Sequence, residues 1–177
     1  DFDLVVTSYA AGQGAYLLTG DGAGNFTPNG TLPNSGFAFM VEARDLNDDN
    51  NIDIVFSNSS NMSLYTGNGN GTFNSEIVIG NSGINTTGII AGDMNSDGYN
   101  DLVVANGNGS SMEVYLSDNV PNLNLEVSVN APNGGRMVRT GLFNNDTLVD
   151  VAMVDYAGDR LAIFLNNSDG PLSIEEN

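Results

Sequence analysis

The chain has 177 residues with no Cys, His, Trp or Lys, and its 22 acidic residues face four arginines, leaving a net charge of −18. Imidazole, thiolate and Schiff-base chemistry are therefore excluded, and a surface this acidic, without basic patches, excludes nucleic acid and anionic membranes as partners. A hydrophobic content of 40% suffices for one well-buried domain, while no apolar run approaches the ~20 residues of a membrane helix, and the absence of Cys leaves the redox compartment unread.

The chain opens at Asp1 in mid-pattern, with neither an initiator Met nor a signal segment, which reads as a processed or excised piece. The stretch Asp3-Leu4-Val5-Val6 then recurs as Asp53-Ile54-Val55-Phe56, Asp101-Leu102-Val103-Val104 and Asp150-Val151-Ala152-Met153, with the leading aspartates 50, 48 and 49 residues apart. Downstream of each lies a second recurring stretch, at 16–26, 63–73, 113–119 and 162–170. The repeat predicts one domain over 1–177, in units of approximately 1–52, 53–100, 101–149 and 150–177, the last incomplete.

Each unit reads as short strands. Leu123, Leu125, Val127 and Val129 alternate with polar residues, the period of a strand with one buried face. Asn-Gly pairs at Asn68-Gly69, Asn70-Gly71, Asn106-Gly107 and Asn108-Gly109 fit tight hairpins. No segment sustains a helical period. The expectation is an all-β fold, a β-propeller-like array of about four blades of four short antiparallel strands, part of a larger ring or closed by a neighbouring chain. A sandwich or a solenoid of hairpins is the alternative.

The segment "DMNSDGYND" (93–101) sets Asp93, Asn95, Asp97 and Asp101 at loop positions 1, 3, 5 and 9, with the carbonyl of Tyr99 at position 7. The preceding unit does the same with Asp45, Asn47, Asp49, the Asn51 carbonyl and Asp53. Clustered carboxylates repel unless a cation joins them, and calcium takes six to eight hard oxygens at about 2.3–2.6 Å. These residues are the candidate Ca2+ ligands, with Mg2+ the lesser candidate. Phe56 and Val104 stand at position 12, where an EF-hand needs Glu, so the loops are of another kind. A weak third loop keeps Asn144, Asp146, the Leu148 carbonyl and Asp150, but Leu142 replaces its first Asp. Turn chemistry alone is the competing reading, although a turn needs one or two such residues rather than four at fixed offsets.

Sequons for N-glycosylation occur at Asn25, Asn29, Asn58, Asn61, Asn70, Asn85, Asn108, Asn145 and Asn166. With 27 Asn and 25 Ser or Thr in 177 residues, chance predicts about four (27 × 25/177), so nine is an excess.

At "DMNSDGYNDLVVANGNG" (93–109), "GNGNGTF" (67–73) and, more loosely, "DLNDDNNIDIVFSNSS" (45–60), the sequence resembles the FG-GAP/VCBS repeat family, whose calcium-loop blades also occur in integrin α-chain propellers. The resemblance implies a β-propeller, calcium in the blade loops and an extracellular or cell-surface setting. It implies no activity, since members serve as adhesion modules, lectins and non-catalytic parts of enzymes.

Three functions compete. The favoured one is a non-catalytic, calcium-stabilised extracellular module with a structural or adhesive role, partnered by itself or by another extracellular protein. A glycan-binding module is the alternative, since Tyr9 and Tyr156 sit at one loop position and could stack on sugar. An enzyme is disfavoured. Asp155 and Asp159 are a carboxylate pair, but "DYAGD" (155–159) is turn-like and no catalytic residue is nominated. The strand before each acidic loop has no counterpart before Asp1, and the fourth unit reaches "PLSIEEN" (171–177) where its last strand is expected to begin. That pattern predicts completion by a neighbouring segment or subunit, within a multimeric or fibrous assembly.

Overall fold

A computed structural model of the chain describes residues 1–34, 36–58, 61–80, 86–107, 111–118, 123–131, 134–155 and 160–167, with the backbone alone of 174–176. The described residues hold fifteen strands and no helix, so none has a helix long and apolar enough to cross a membrane. The strands form four antiparallel sheets, each a meander of sequence neighbours. The first holds β1 (Leu4–Thr7), β2 (Ala15–Gly20) and β3 (Phe26–Leu32), and the second β4 (Val41–Arg44), β5 (Asp53–Ser57), β6 (Met62–Tyr65) and β7 (Ile77–Ile79). The third holds β8 (Thr86–Gly92), β9 (Asp101–Asn106), β10 (Ser111–Ser117) and β11 (Leu123–Asn130), and the fourth β12 (Gly135–Gly141), β13 (Asp150–Asp155), β14 (Arg160–Asn166) and β15 (Ile174–Glu176). This is the propeller-like array of blades that the repeat predicts, without closure into a barrel.

The sheets fix the phase of the repeat. Each acidic loop joins the first strand of a sheet to its second, because β5, β9 and β13 begin at Asp53, Asp101 and Asp150. By the same register β1, which follows Asp3, is a second strand. Among the described residues the first sheet has no counterpart to β4, β8 and β12. At the other end Leu165↔Glu175 and Asn166↔Ile174 pair β14 with β15, so the fourth sheet does carry its outer strand.

Strand alternation sends odd and even residues to opposite sheet faces, and here both faces are apolar. Ile54 and Phe56 pack with Ala15, Leu32 and Val5 toward the first sheet. Val55 and Leu64 pack instead with Leu102, Val104 and Tyr115 of the third. Val103, Met112 and Val114 in turn pack with Val151, Met153 and Phe164 of the fourth. The core is thus three layers between successive blades, which explains the unbroken apolar runs after each leading aspartate.

Leu125 departs from expectation. The register shifts by one residue between Val114 and Tyr115, so Val127 pairs with Val114 but Leu125 with Tyr115. A bulge of this kind flips side-chain parity. Val127 and Val129 pack on the layer toward the fourth sheet, Leu123 on the other layer, and Leu125 is exposed. The expected single buried stripe is therefore divided between two faces. The Asn68–Thr72 turn meets expectation, with positive φ at Gly69 and Gly71 and the Asn68 N–H donated to the Thr72 carbonyl at 3.0 Å. Gly109 and Asn108 lie outside the described residues.

Candidate metal loops

The ninth residue of each acidic loop is a clasp. Asp101 has no exposed surface, its Oδ2 accepts the Met94 N–H at 2.8 Å, and its Oδ1 accepts the Ser117 N–H at 2.9 Å. Asp53 binds the N–H groups of Leu46 and Gly67 in the same way, both at 2.9 Å. Asp150 binds those of Phe143 at 2.8 Å and Asn166 at 2.9 Å. Each carboxylate thereby ties the loop before its own strand to the end of the next strand. In the first sheet Asp3 accepts only the Gly20 N–H, at 2.9 Å.

Positions 1, 3 and 5 converge within each of the first two loops. The Asp97 N–H faces both Asp93 Oδ1 and Asn95 Oδ1 at 3.1 Å, and the Gly98 N–H donates to Asp93 Oδ2 at 3.0 Å. Loop 45–53 repeats this, with the Asp49 N–H facing Asp45 Oδ1 at 3.3 Å and Asn47 Oδ1 at 3.1 Å, and the Asn50 N–H on Asp45 Oδ2 at 2.8 Å. The winding needs left-handed backbone at positions 4 and 6, met by Asp48 and Asn50 in one loop and by Ser96 and Gly98 in the other. At position 7, Asn51 and Tyr99 each give their N–H to the preceding aspartate, Asp49 or Asp97. Among the described residues no three acidic side chains are grouped as a metal site. The carboxylates are spread over the loop amides, and the oxygen donors of positions 1 and 3 meet at one N–H.

The third loop lacks this winding. The Asp146 N–H has only Asn144 Oδ1, at 2.9 Å, and the Leu148 N–H donates to Asp146 Oδ1 at 2.9 Å. Neither Asn145 nor Thr147 has positive φ. The physical reason is Leu142, which brings no carboxylate to accept the amides of positions 5 and 6.

Electrostatics follows burial. Desolvation, with further repulsion from Asp97 and Asp93, pushes the Asp101 carboxyl up to about 6. Burial raises Asp53 too, with Asp49 and Asp45 adding to it. Exposed Asp49 is instead lowered, chiefly by the Asn51 N–H that it accepts. Loop 45–53 thus sets the buried Asp53, whose carboxyl is raised, beside the solvated Asp49, whose carboxyl is lowered.

Residues 45–104, spanning both intact loops, match the family model of the FG-GAP-like repeat. That segment is similar to an FG-GAP-like repeat. The match covers about a third of the 177 residues, and no curated protein matches the chain. Within the matched segment the second loop residue has a role that sequence reasoning passed over. Leu46 and Met94 are buried in the layers between blades. The Leu46 carbonyl accepts the Ser117 hydroxyl at 3.0 Å, and the Met94 carbonyl accepts Asn166 Nδ2 at 2.7 Å. Each loop therefore plugs the joint with the following blade, and the signal was an apolar residue among acids. Between the first and second blades a cavity of about 480 Å³ is lined by Val5, Leu17, Ala43, Ile54 and Phe73.

Other nominated residues fall into three groups. Of the sequons, Asn25, Asn29, Asn70 and Asn145 are exposed and Asn61 is half-buried. Asn58 and Asn166 are buried, which corrects their nomination: Asn58 Nδ2 donates to Ser63 Oγ and Asn166 Nδ2 to the Met94 and Val149 carbonyls, so neither has room for a glycan in the folded chain. Asn85, Asn108, Tyr156 and Asp159 lie outside the described residues, and Asp155 is a buried partner of Arg160 at 2.9 Å. Tyr9 is exposed and stacks on Phe37 at 5.1 Å between ring centroids, with Phe39 edge-on at 5.3 Å. Those two phenylalanines were not visible as its neighbours in the sequence.

Proposed function

We propose that the chain is a non-catalytic, calcium-stabilised repeat module of the extracellular space, with a structural or adhesive role. The observation that supports this best is the shared geometry of loops 45–53 and 93–101, where oxygens of positions 1 and 3 meet at the amide of position 5. The donor set fits a hard cation. Asp45, Asn47, Asp49, the Asn51 carbonyl and Asp53 would hold one Ca2+, and Asp93, Asn95, Asp97, the Tyr99 carbonyl and Asp101 a second. A bound ion would supply charge neutralisation and a crosslink between the first and second strands of a blade. Asn144, Asp146, Leu148 and Asp150 make a poorer set, since their loop lacks the first carboxylate and the left-handed winding. The exposed sequons support a secreted setting, where calcium is abundant enough for the weak sites of extracellular modules. The missing His, Cys and Lys support a role without catalysis.

Calorimetric titration of metal-free protein with calcium checks this. Two sites are expected, Asp97→Ala removes one of them, and Asp146→Ala leaves both. Absence of any calcium heat overturns the metal reading.

The Tyr9, Phe37 and Phe39 cluster favours a second reading, glycan binding, because exposed aromatic faces stack on sugar rings. Tyrosine fluorescence that shifts on titration with a glycan and is lost in Tyr9→Ala supports it. No response across a glycan array removes it.

A further inference from the structure

Each intact loop is held from the blade that follows it, and loop 45–53 is held twice. The carbonyl of its second residue, Leu46, accepts the Ser117 hydroxyl at 3.0 Å. The carbonyl of its first residue, Asp45, accepts Asn100 Nδ2 at 2.9 Å. Asn100 is position 8 of loop 93–101, so it stands between Tyr99 and Asp101, the candidate ligands of positions 7 and 9. Loop 93–101 has the first kind of hold, through Asn166 Nδ2 on the Met94 carbonyl at 2.7 Å. It cannot have the second from the same position, because position 8 of the third loop is Val149, whose side chain has no donor.

The two loops are also joined ligand to ligand. Asp101 Oδ1 accepts the Ser117 N–H at 2.9 Å, the Ser117 hydroxyl donates to the Leu46 carbonyl, and the Leu46 N–H donates to Asp53 Oδ2 at 2.9 Å. Three hydrogen bonds thus run from the ninth residue of one loop to the ninth residue of the other. All four residues are buried, so water does not compete for these groups and a shift at one end is felt at the other.

We propose that Asn100 and Ser117 are positioning residues for the calcium site of loop 45–53, and that through them the two calcium sites are coupled. The proposal rests on the calcium reading above and adds a dependence between sites to it. Holding the Asp45 and Leu46 carbonyls fixes the peptides on the C-terminal side of the position 1 ligand. Less ordering is then left for binding to bring about, and affinity rises. With Tyr99 and Asp101 held by an ion, Asn100 between them loses freedom as well, and its hold on Asp45 tightens. Linkage makes the effect mutual, so each occupied site favours the other.

The test is calorimetric titration of the whole chain with calcium in single-site backgrounds. Asp97→Ala leaves the 45–53 site, and Asp49→Ala leaves the 93–101 site. Asn100→Ala is expected to weaken the first background roughly 3–10-fold, the effect of one hydrogen bond, and to leave the second unchanged. In wild type the overall constant for two ions exceeds the product of the two single-site constants, and Asn100→Ala removes most of that excess. Asn100→Gln, which keeps an amide donor, restores part of it. Circular dichroism confirms folding, and Ser117→Ala, read in the same way, takes the place of Asn100→Ala should that variant unfold. Equal weakening of both backgrounds overturns the inference, because Asn100 would then serve its own loop. A wild type that gives no calcium heat overturns the metal reading and this inference together. Calcium heat that is indifferent to Asn100 and Ser117 overturns this inference alone.

Discussion

Asp101→Ala is expected to destabilise the fold by about 3–5 kcal/mol, since it strands two buried backbone donors at about 1–3 kcal/mol each and leaves a void. The donors are the Met94 and Ser117 N–H groups, at 2.8 and 2.9 Å from the lost oxygens. In a domain of this size that lowers Tm by roughly 10–15 °C. Asp101→Asn offers little rescue, because its amide nitrogen must face one of the two N–H groups. The control is Asp3→Ala at the equivalent position, where the carboxylate is exposed and accepts only the Gly20 N–H, so a loss of about 0.5–1.5 kcal/mol is expected there. Both losses are to be read in chelator, which isolates the clasp from any metal. Equal Tm shifts for the two variants would show that the clasp does not hold the blades.

The second expected result is a dependence on pH that reverses with calcium. Burial raises Asp101 from 3.8 to about 6, and it raises Asp53 in the same direction. A carboxyl whose folded pKa is raised contributes stability that is fully present below the unfolded value and lost as pH rises through the folded one. In chelator, Tm should therefore fall between pH 5 and pH 7, by about 1–2 kcal/mol of stability after allowance for screening by the solvated loops. Asp49 and Asp21 have lowered values, chiefly from the Asn51 N–H and the Asn25 side chain, and lose their contribution only at more acid pH, below this window. Calcium requires ionised ligands, so its stabilisation should grow from pH 5 to pH 7. At tenfold excess over Kd it amounts to about 1.4 kcal/mol per site. Scanning calorimetry at three pH values, with and without calcium, measures both slopes. Identical slopes in the two buffers would mean that the raised carboxyls are not ligands.

The two results are separable because one aspartate serves two ends. Its oxygens bind backbone amides of its own blade and, with their remaining lone pairs, are the candidate inner ligands of the loop. A metal-only role predicts no loss on substitution in chelator, and a clasp-only role predicts no calcium effect on the pH slope.

Much of the architecture could be read from local pattern. The 50-, 48- and 49-residue spacing of the leading aspartates specifies the number of blades, because each unit is a supersecondary piece that must stack to bury its faces. The offsets of Asp93, Asn95 and Asp97 specify the winding of the loop, because Asx side chains bond amides two to five residues on. The same rule makes Leu142 sufficient to foresee a different third loop. These are short-range effects, and a sequence contains short-range effects in full.

What tertiary structure alone decided depends on residues far apart in the chain. The unbroken run at 102–105 could not tell which residues face which neighbour, since both faces of a blade are covered and alternation carries no polarity signal. A single bulge opposite Val114 turned Leu125 to the face opposite Val127, where it is exposed, and no local signal marks where a ladder slips. Burial of Asn166 and the pairing of its amide with Met94, 72 positions away, turned a candidate glycan acceptor into part of a joint. Asp101 is a clasp because β10 ends beside it, its Oδ1 accepting the Ser117 N–H, and long-range closure of that kind is set by packing.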